Sequence, residues 1–203
     1  MAQDRPLTTP PARKPRADSV KNRERLLLAA AEVFRAGGPE ASLEAVARRA
    51  GVGIGTLYRH FPTREALFEA VYRREVEQLV DLAAQLCERE PPIQALRLWL
   101  HAGVGMAATK RGMLTALALA IDSSSEIYAY SFAHLTRALE ALLSRASAAG
   151  AIRADVGPED VLQAMVGLSM MGRQPGWEAN AIRLLDIFVD GLGASAIGNM
   201  PES

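Results

Sequence analysis

The chain has 203 residues, and its 23 Lys and Arg balance 23 Asp and Glu to a formal charge of zero. Apolar residues make up 49 % and aromatics only 5 %, which supplies a sizeable core and favours helix over sheet. One cysteine, Cys87, excludes an intramolecular disulfide framework, and no apolar run approaches the roughly 20 residues of a membrane span.

Residues 1–17 read as a disordered basic tail. Pro6, Pro10, Pro11 and Pro15 oppose regular helix, and Arg5, Arg13, Lys14 and Arg16 make the stretch basic. It carries no apolar signal-peptide segment, so the expected location is the cytoplasm, where Cys87 stays reduced. An arm that reaches phosphates or a minor groove, and a plain solvated tail, both fit it. Basic residues outnumber acidic ones over residues 1–80, and the reverse holds over 81–203. That polarity suits a chain that brings its N-terminal end to nucleic acid.

The first helix is expected to start at a cap on Asp18 or Ser19. It turns Leu27, Ala30, Ala31 and Phe34 inward and closes at Gly37-Gly38. Next, Leu43, Val46, Ala47 and Ala50 recur at i, i+3, i+4 and i+7 behind a Ser42 cap, and Gly51 provides a sharp stop. A second short helix follows over about Ile54 to His60. It has Leu57 and Phe61 facing in and Thr56, Tyr58, Arg59 and His60 facing out, until Pro62 ends it. Two short helices around a glycine turn outline a helix-turn-helix, whose second helix enters the DNA major groove. Residues 18–63 are therefore expected to form a DNA-binding head.

The segment Ala50-Gly-Val-Gly-Ile-Gly-Thr-Leu-Tyr-Arg-His-Phe-Pro-Thr-Arg-Glu-Ala-Leu67 resembles the recognition segment of the TetR family of bacterial transcriptional repressors, and the pattern fits from Leu26 to about Val71. Two positions depart from it: Gly53 stands where the family usually has a capping serine, and Arg64 where lysine is common. The resemblance implies an all-α chain of about nine helices. It also implies a homodimer on a near-palindromic double-stranded operator, with heads about 34 Å apart or a multiple of that, and a small-molecule inducer that releases the DNA. Tyr58 and His60 match positions that touch the DNA backbone in the family.

Residues 64–203 are expected to form the ligand-binding and dimerisation body. One long helix runs from Arg64 to about Arg89, spanning about 40 Å, and Pro91-Pro92 stop it. Ile93 to about Thr109 and Gly112–Ile121 read as separate helical segments. A cap on Asp122 or Ser123 opens a long helix to about Ala148. Pro158, Glu159 and Asp160 open another, to about Met171. Gly172 to Gly176 is a break, and a last helix spans about Trp177 to Leu192. No alternating strand pattern and no internal repeat is present.

The expected DNA contacts are Ser42, Gly53, Gly55, Thr56, Tyr58, Arg59, His60, Thr63 and Arg64. Arg59 can grip guanine or a phosphate, Thr56 offers a hydroxyl and a methyl, and the glycines permit close backbone approach. Candidate pocket walls are Trp99, Met106, Met113, Leu117, Tyr128, Phe132, Met165, Met170 and Trp177, because soft thioethers and aromatics suit a cavity. Polar candidates inside the apolar segments are His101, Thr115, Asp122, Tyr128 and His134, and their scarcity favours a largely apolar or aromatic ligand. The resemblance points to the last two helices as the dimer interface, with Val161, Met165, Leu168, Ile182, Leu185, Phe188 and Val189 facing the partner.

His60, His101 and His134 lie at no metal-ligand spacing, and no nucleophile motif is present. No enzyme activity, metal or cofactor is expected. The glycines at 51, 53 and 55 follow a helix rather than a strand, so they make no dinucleotide loop. A constitutive DNA-binding or interaction protein with a filled body remains the alternative to a ligand-released repressor.

Overall fold

The computed structural model describes residues 15–37, 41–117, 126–170 and 176–193. They form eight helices: α1 Pro15–Ala36, α2 Leu43–Ala50, α3 Ile54–His60, α4 Arg64–Arg89, α5 Pro92–Ala116, α6 Glu126–Ala148, α7 Pro158–Met170 and α8 Trp177–Gly191. The described residues contain no strand, so the all-α expectation holds.

In the head, α1 lies across α2 and α3. Leu26, Phe34, Val46, Leu57 and Phe61 are buried there. Ser42 caps α2 by accepting the amide of Ala45 at 3.1 Å. Gly51 ends the helix with φ 65°, in the left-handed region that side chains disfavour. Its amide and that of Val52 return to the carbonyls of Arg48 and Ala47, so the last turn keeps its bonds while the chain reverses. The helix-turn-helix thus closes on the residues that foretold it.

Helix α4 carries the chain from head to body. Thr63 caps its start by accepting the amide of Ala66 at 3.1 Å. Its buried side packs on α5 and α6. The indole of Trp99 is fully buried and donates to the Leu79 carbonyl at 2.8 Å, which satisfies its one polar group across the α4–α5 contact. At the far end, Arg145 of α6 donates to the Glu90 carbonyl at 2.7 Å, just past the last turn of α4. Helices α7 and α8 close the body against α5 and α6.

Three expectations differ from the structure. Helix α1 begins at Pro15 rather than at an Asp18 or Ser19 cap. Proline is tolerated in a first turn, where its missing N–H has no helical partner to lose. The expected break near Gly112 is also absent. Helix α5 runs through it to Ala116, which merges two segments and brings the count to eight. A Cβ on Gly112 would collide with the Phe34 carbonyl, so this glycine serves a close crossing of α1 and α5. The third difference concerns α7 and α8 and appears with the interface residues below. Residues 1–14, the Asp122 or Ser123 cap and the break after Met170 lie outside the described residues, apart from Gly176.

Candidate DNA interface and helical body

Helix α3 turns Leu57 into the head core and leaves Tyr58 46 % exposed. Arg59 folds along its own helix, where its Nε donates to the Gly55 carbonyl at 3.2 Å and its Nη2 to Thr56 Oγ1 at 3.3 Å. Thr56 and Arg59 thereby share one face, as i and i+3 do on a helix. Gly53 and Gly55 have no heavy atom within 4 Å of where a Cβ would stand. Internal packing therefore does not demand glycine at either position, and the surface here is bare. Gly53 caps α3 through its backbone, without a side-chain bond. His60 is half-buried, with its ring tilted against Phe61.

Ser42 and Thr63 are engaged as caps, yet each hydroxyl accepts there and keeps its hydrogen free to donate outward. Arg64 points elsewhere. Its Nη1 donates to the Leu117 carbonyl at the end of α5 at 3.3 Å, so part of its guanidinium ties head to body. Arg25, which with Lys21 and Arg23 is expected from the sequence to reach backbone phosphates, has its guanidinium at the turn beside Gly51. The sequence reading missed Arg48, exposed in the last turn of α2, because a basic residue beside a turn carries no one-helix periodicity signal.

In the body, the nine candidate pocket residues separate into three groups. Trp99, Met106, Met113, Leu117 and Met165 are core. Tyr128 and Trp177 are half-buried, with Tyr128 against Tyr72 and Trp177 beneath the Arg111 guanidinium, 4.4 Å from the ring centroid. Phe132 and Met170 are 44 % and 52 % exposed, so neither walls an interior cavity of this chain. A cleft of about 390 Å³ opens between the end of α1, α5 and the start of α8, with Arg35, Thr115 and Trp177 among its walls. A charged cleft of about 580 Å³ lies between α1 and α4, lined by residues such as Arg23, Glu24, Arg73 and Asp81.

Of the polar candidates, His101 lies against α8 rather than in a pocket. Its Nε2 is 2.8 Å from Asp186 Oδ1, and Arg97 Nη1 donates to the same oxygen at 2.8 Å. The Arg97 guanidinium holds the Asp186 carboxyl below its ordinary range, helped by His101. His134 is exposed and bonds its own helix at the Tyr130 carbonyl. Thr115 is exposed, and Asp122 lies outside the described residues.

The interface candidates require a correction. Val161, Met165, Leu185 and Val189 are buried within the chain's own core, so they cannot face a partner while the body is folded. Leu168, Ile182 and Phe188 are half-buried. The outward faces of α7 and α8 instead present Val166, Met170 and Ile187, which are 47 %, 52 % and 58 % exposed. Apolar residues occur both in the core-facing stripe of these helices and at single outward positions, so spacing alone does not say which of them another chain covers.

Among the described residues, no group of three or more His, Cys, Asp and Glu could hold a metal. No helix of the described residues is long and apolar enough to cross a membrane.

A three-helix head with a helix-turn-helix on an otherwise helical body defines a class of helix-turn-helix regulator. Residues 26–71 match the family described as bacterial regulatory proteins, tetR family, and residues 91–194 match the C-terminal domain of SbtR-like transcriptional regulators. The chain belongs to the TetR family of transcriptional regulators.

The chain is 44 % identical to the TetR regulator SCO0520 of Streptomyces coelicolor, whose crystal structure superposes with a TM-score of 0.74 over 86 % of this chain and 99 % of that one. It is 35 % identical to a TetR regulator of Mycobacterium vanbaalenii, with a TM-score of 0.68 over 88 % and 98 % of the two chains. The HTH-type transcriptional regulator TtgW of Pseudomonas putida is 44 % identical over 61 residues, 30 % of this chain and 46 % of that protein. The repressor KstR of Mycolicibacterium smegmatis is 42 % identical over 60 residues, 29 % of each. The chain thus spans less than half the length of these curated relatives.

Proposed function

We propose that the chain is a cytoplasmic, homodimeric repressor that binds a near-palindromic operator through α3 and is released from it by a small ligand taken up in the body. The observation that carries this is the bare outer face of α3. Thr56, Tyr58 and Arg59 project there just after two glycines, Gly53 and Gly55, that internal packing does not require. Phosphate contacts would come from the Ser42, Tyr58, His60 and Thr63 side chains, and base contacts from Thr56 and Arg59. KstR, which matches over 60 residues, is named a transcriptional repressor.

The exposed apolar residues Val166, Met170 and Ile187 on α7 and α8 support pairing of two copies through these helices. Such a pair sets the spacing of two heads. A ligand that changes that spacing weakens operator binding, and by linkage the operator weakens ligand binding equally. The role is binding rather than catalysis.

Gel shifts on DNA upstream of the chain's own gene and its neighbours test the reading. Specific binding that weakens steeply with salt is expected, and binding with no preference over unrelated DNA would overturn it. One observation favours a constitutive alternative: Trp99, Met106, Met113 and Met165 fill the body core rather than line a void. A thermal-shift screen separates the two readings, because a ligand that binds only the folded state raises its apparent stability.

A further inference from the structure

Lys110 breaks an apolar stripe. Met106, Lys110, Met113 and Leu117 follow one another on a single side of α5, and the other three are buried. The Lys110 ammonium stands 4.0 Å from the Tyr128 ring centroid on α6 and 5.4 Å from that of Tyr72 on α4. The two rings meet edge to face at 5.9 Å. Tyr72 donates to Ser131 Oγ at 3.3 Å, and Ser131 donates in turn to the Tyr128 carbonyl at 2.9 Å, which fixes the two tyrosines around the amine.

No carboxylate of the described residues lies within ion-pair distance of Lys110. The buried acid of α4, Glu75, is turned toward α1 and held by Arg35 at 3.1 Å. Among the described residues two π faces are its partners, and a partly desolvated cation held in this way is costly to keep. An arriving anion removes that cost.

We propose that Lys110, framed by Tyr72 and Tyr128, anchors the carboxylate of a small ligand whose body is apolar or aromatic. The inference rests on the ligand-release reading above and adds the chemical class of the ligand. One ammonium in a desolvated setting balances one negative charge, which favours a monoanionic carboxylate over a phosphate dianion. Lys110 and Tyr128 both keep partial exposure, so a solute can reach them. The Tyr72 and Tyr128 rings beside the amine suit a greasy body.

The charge state of the amine gives the proposal a pH signature. Burial lowers Lys110 from 10.5 to about 8, and a bound carboxylate raises it again. Affinity is therefore full below about pH 8 and falls by up to about tenfold per unit above it, as the free amine loses its proton. The other groups around the amine do not imitate this. Burial raises both Tyr72 and Tyr128 above the ordinary tyrosine value, and Glu75 stays paired with Arg35.

Calorimetry and thermal shift on the full chain without DNA test the proposal. The probes are phenylacetate, 4-phenylbutyrate and decanoate, each beside its primary amide, at pH 7 and pH 9.5. At least one acid is expected to bind, with its amide at least about tenfold weaker and the advantage shrinking at pH 9.5. Lys110→Met is expected to abolish the preference for acid over amide while still shifting operator DNA in a gel. No binding by any acid, equal binding of acid and amide, or undiminished acid binding by Lys110→Met would each overturn the proposal. Operator binding is measured on ligand-free protein. Failure of the acids with an intact gel shift therefore removes this inference alone, whereas loss of specific DNA binding removes the repressor reading.

Discussion

Arg35, in the last turn of α1, reaches Glu75 in the middle of α4 at 3.1 Å and donates from Nε to Thr109 of α5 at 3.0 Å. Glu75 is only 8 % exposed, while Arg35 is half in water. One guanidinium thus joins the head helix to two helices of the body. The asymmetry in burial decides what each change does. Arg35→Met leaves a buried carboxylate without its partner and is expected to cost about 1–3 kcal/mol. Glu75→Gln keeps an acceptor and is expected to cost less. Urea titration of both variants checks the order, and equal costs would place the energy in packing rather than in the charge.

Tyr58 is exposed and contributes little to the core, and its proposed role is to meet DNA with its hydroxyl and ring. Tyr58→Ala is expected to weaken operator binding by about tenfold, about 1.4 kcal/mol, with the melting temperature unchanged. Arg59→Ala is expected to change which base pairs are preferred as well as the affinity, since a guanidinium can read guanine. Binding of a set of single-base operator variants separates the two effects. A uniform loss across that set for Arg59→Ala would assign it to phosphate instead.

Much of the head was legible because its signals are local. Ser42, Gly51 and Thr63 act within three or four residues of chain, through a cap, a turn and a cap, so the residue type alone carries the geometry. The body was less legible because its decisive contacts are between helices. Gly112 looks like a helix breaker in sequence and is a crossing point against α1. Lys110 looks like a solvated charge and lies on two rings from other helices. Along α7 and α8, apolar residues occur on both faces, and periodicity gives the faces without saying which one another chain element covers.

That ambiguity sets up a discriminating pair of changes. Ile187→Glu and Val166→Glu place charge on the outward face and are expected to convert a dimer to a monomer in analytical ultracentrifugation. Leu185→Ala empties the core, where Leu185 is fully buried, and is expected to cost about 2–5 kcal/mol of stability. Persistence of the dimer in both glutamate variants at micromolar concentration would rule this face out as the interface.

Lys110 gives a stability prediction independent of any ligand. Its pKa is lowered to about 8 in the fold from 10.5. Below about pH 8 both folded and unfolded chains carry the proton, and the fold bears the full desolvation cost. Between about 8 and 10.5 the unfolded chain binds more protons, so the wild type gains stability as pH rises. Lys110→Met removes the cost at similar volume. It is expected to stabilise the protein at pH 7 by on the order of 1 kcal/mol, because partial exposure and the two rings offset much of the full shift. The gain over wild type is expected to shrink above pH 8. A gain that is constant from pH 7 to 10 would trace to packing and not to the amine.

The α1–α5 crossing gives the sharpest test of how the head is seated. Gly112 lies where its missing Cβ would strike the backbone carbonyl of Phe34, and a backbone atom cannot swing aside as a side-chain tip can. Alanine is otherwise the better helix former by about 1 kcal/mol, so a helix-propensity argument predicts that Gly112→Ala stabilises. The crossing predicts the opposite: α1 must move off α5, disturbing the buried Phe34 and the Arg35–Thr109 bond beside it. A loss of about 1–3 kcal/mol is expected, as for overpacked cores. Gly55→Ala serves as the control, since open space surrounds its missing Cβ. Gly55→Ala is expected to leave stability level or slightly higher while hindering close approach of α3 to DNA. Thermal melts and gel shifts on the two variants are therefore expected to separate cleanly, with stability lost at 112 and operator affinity lost at 55.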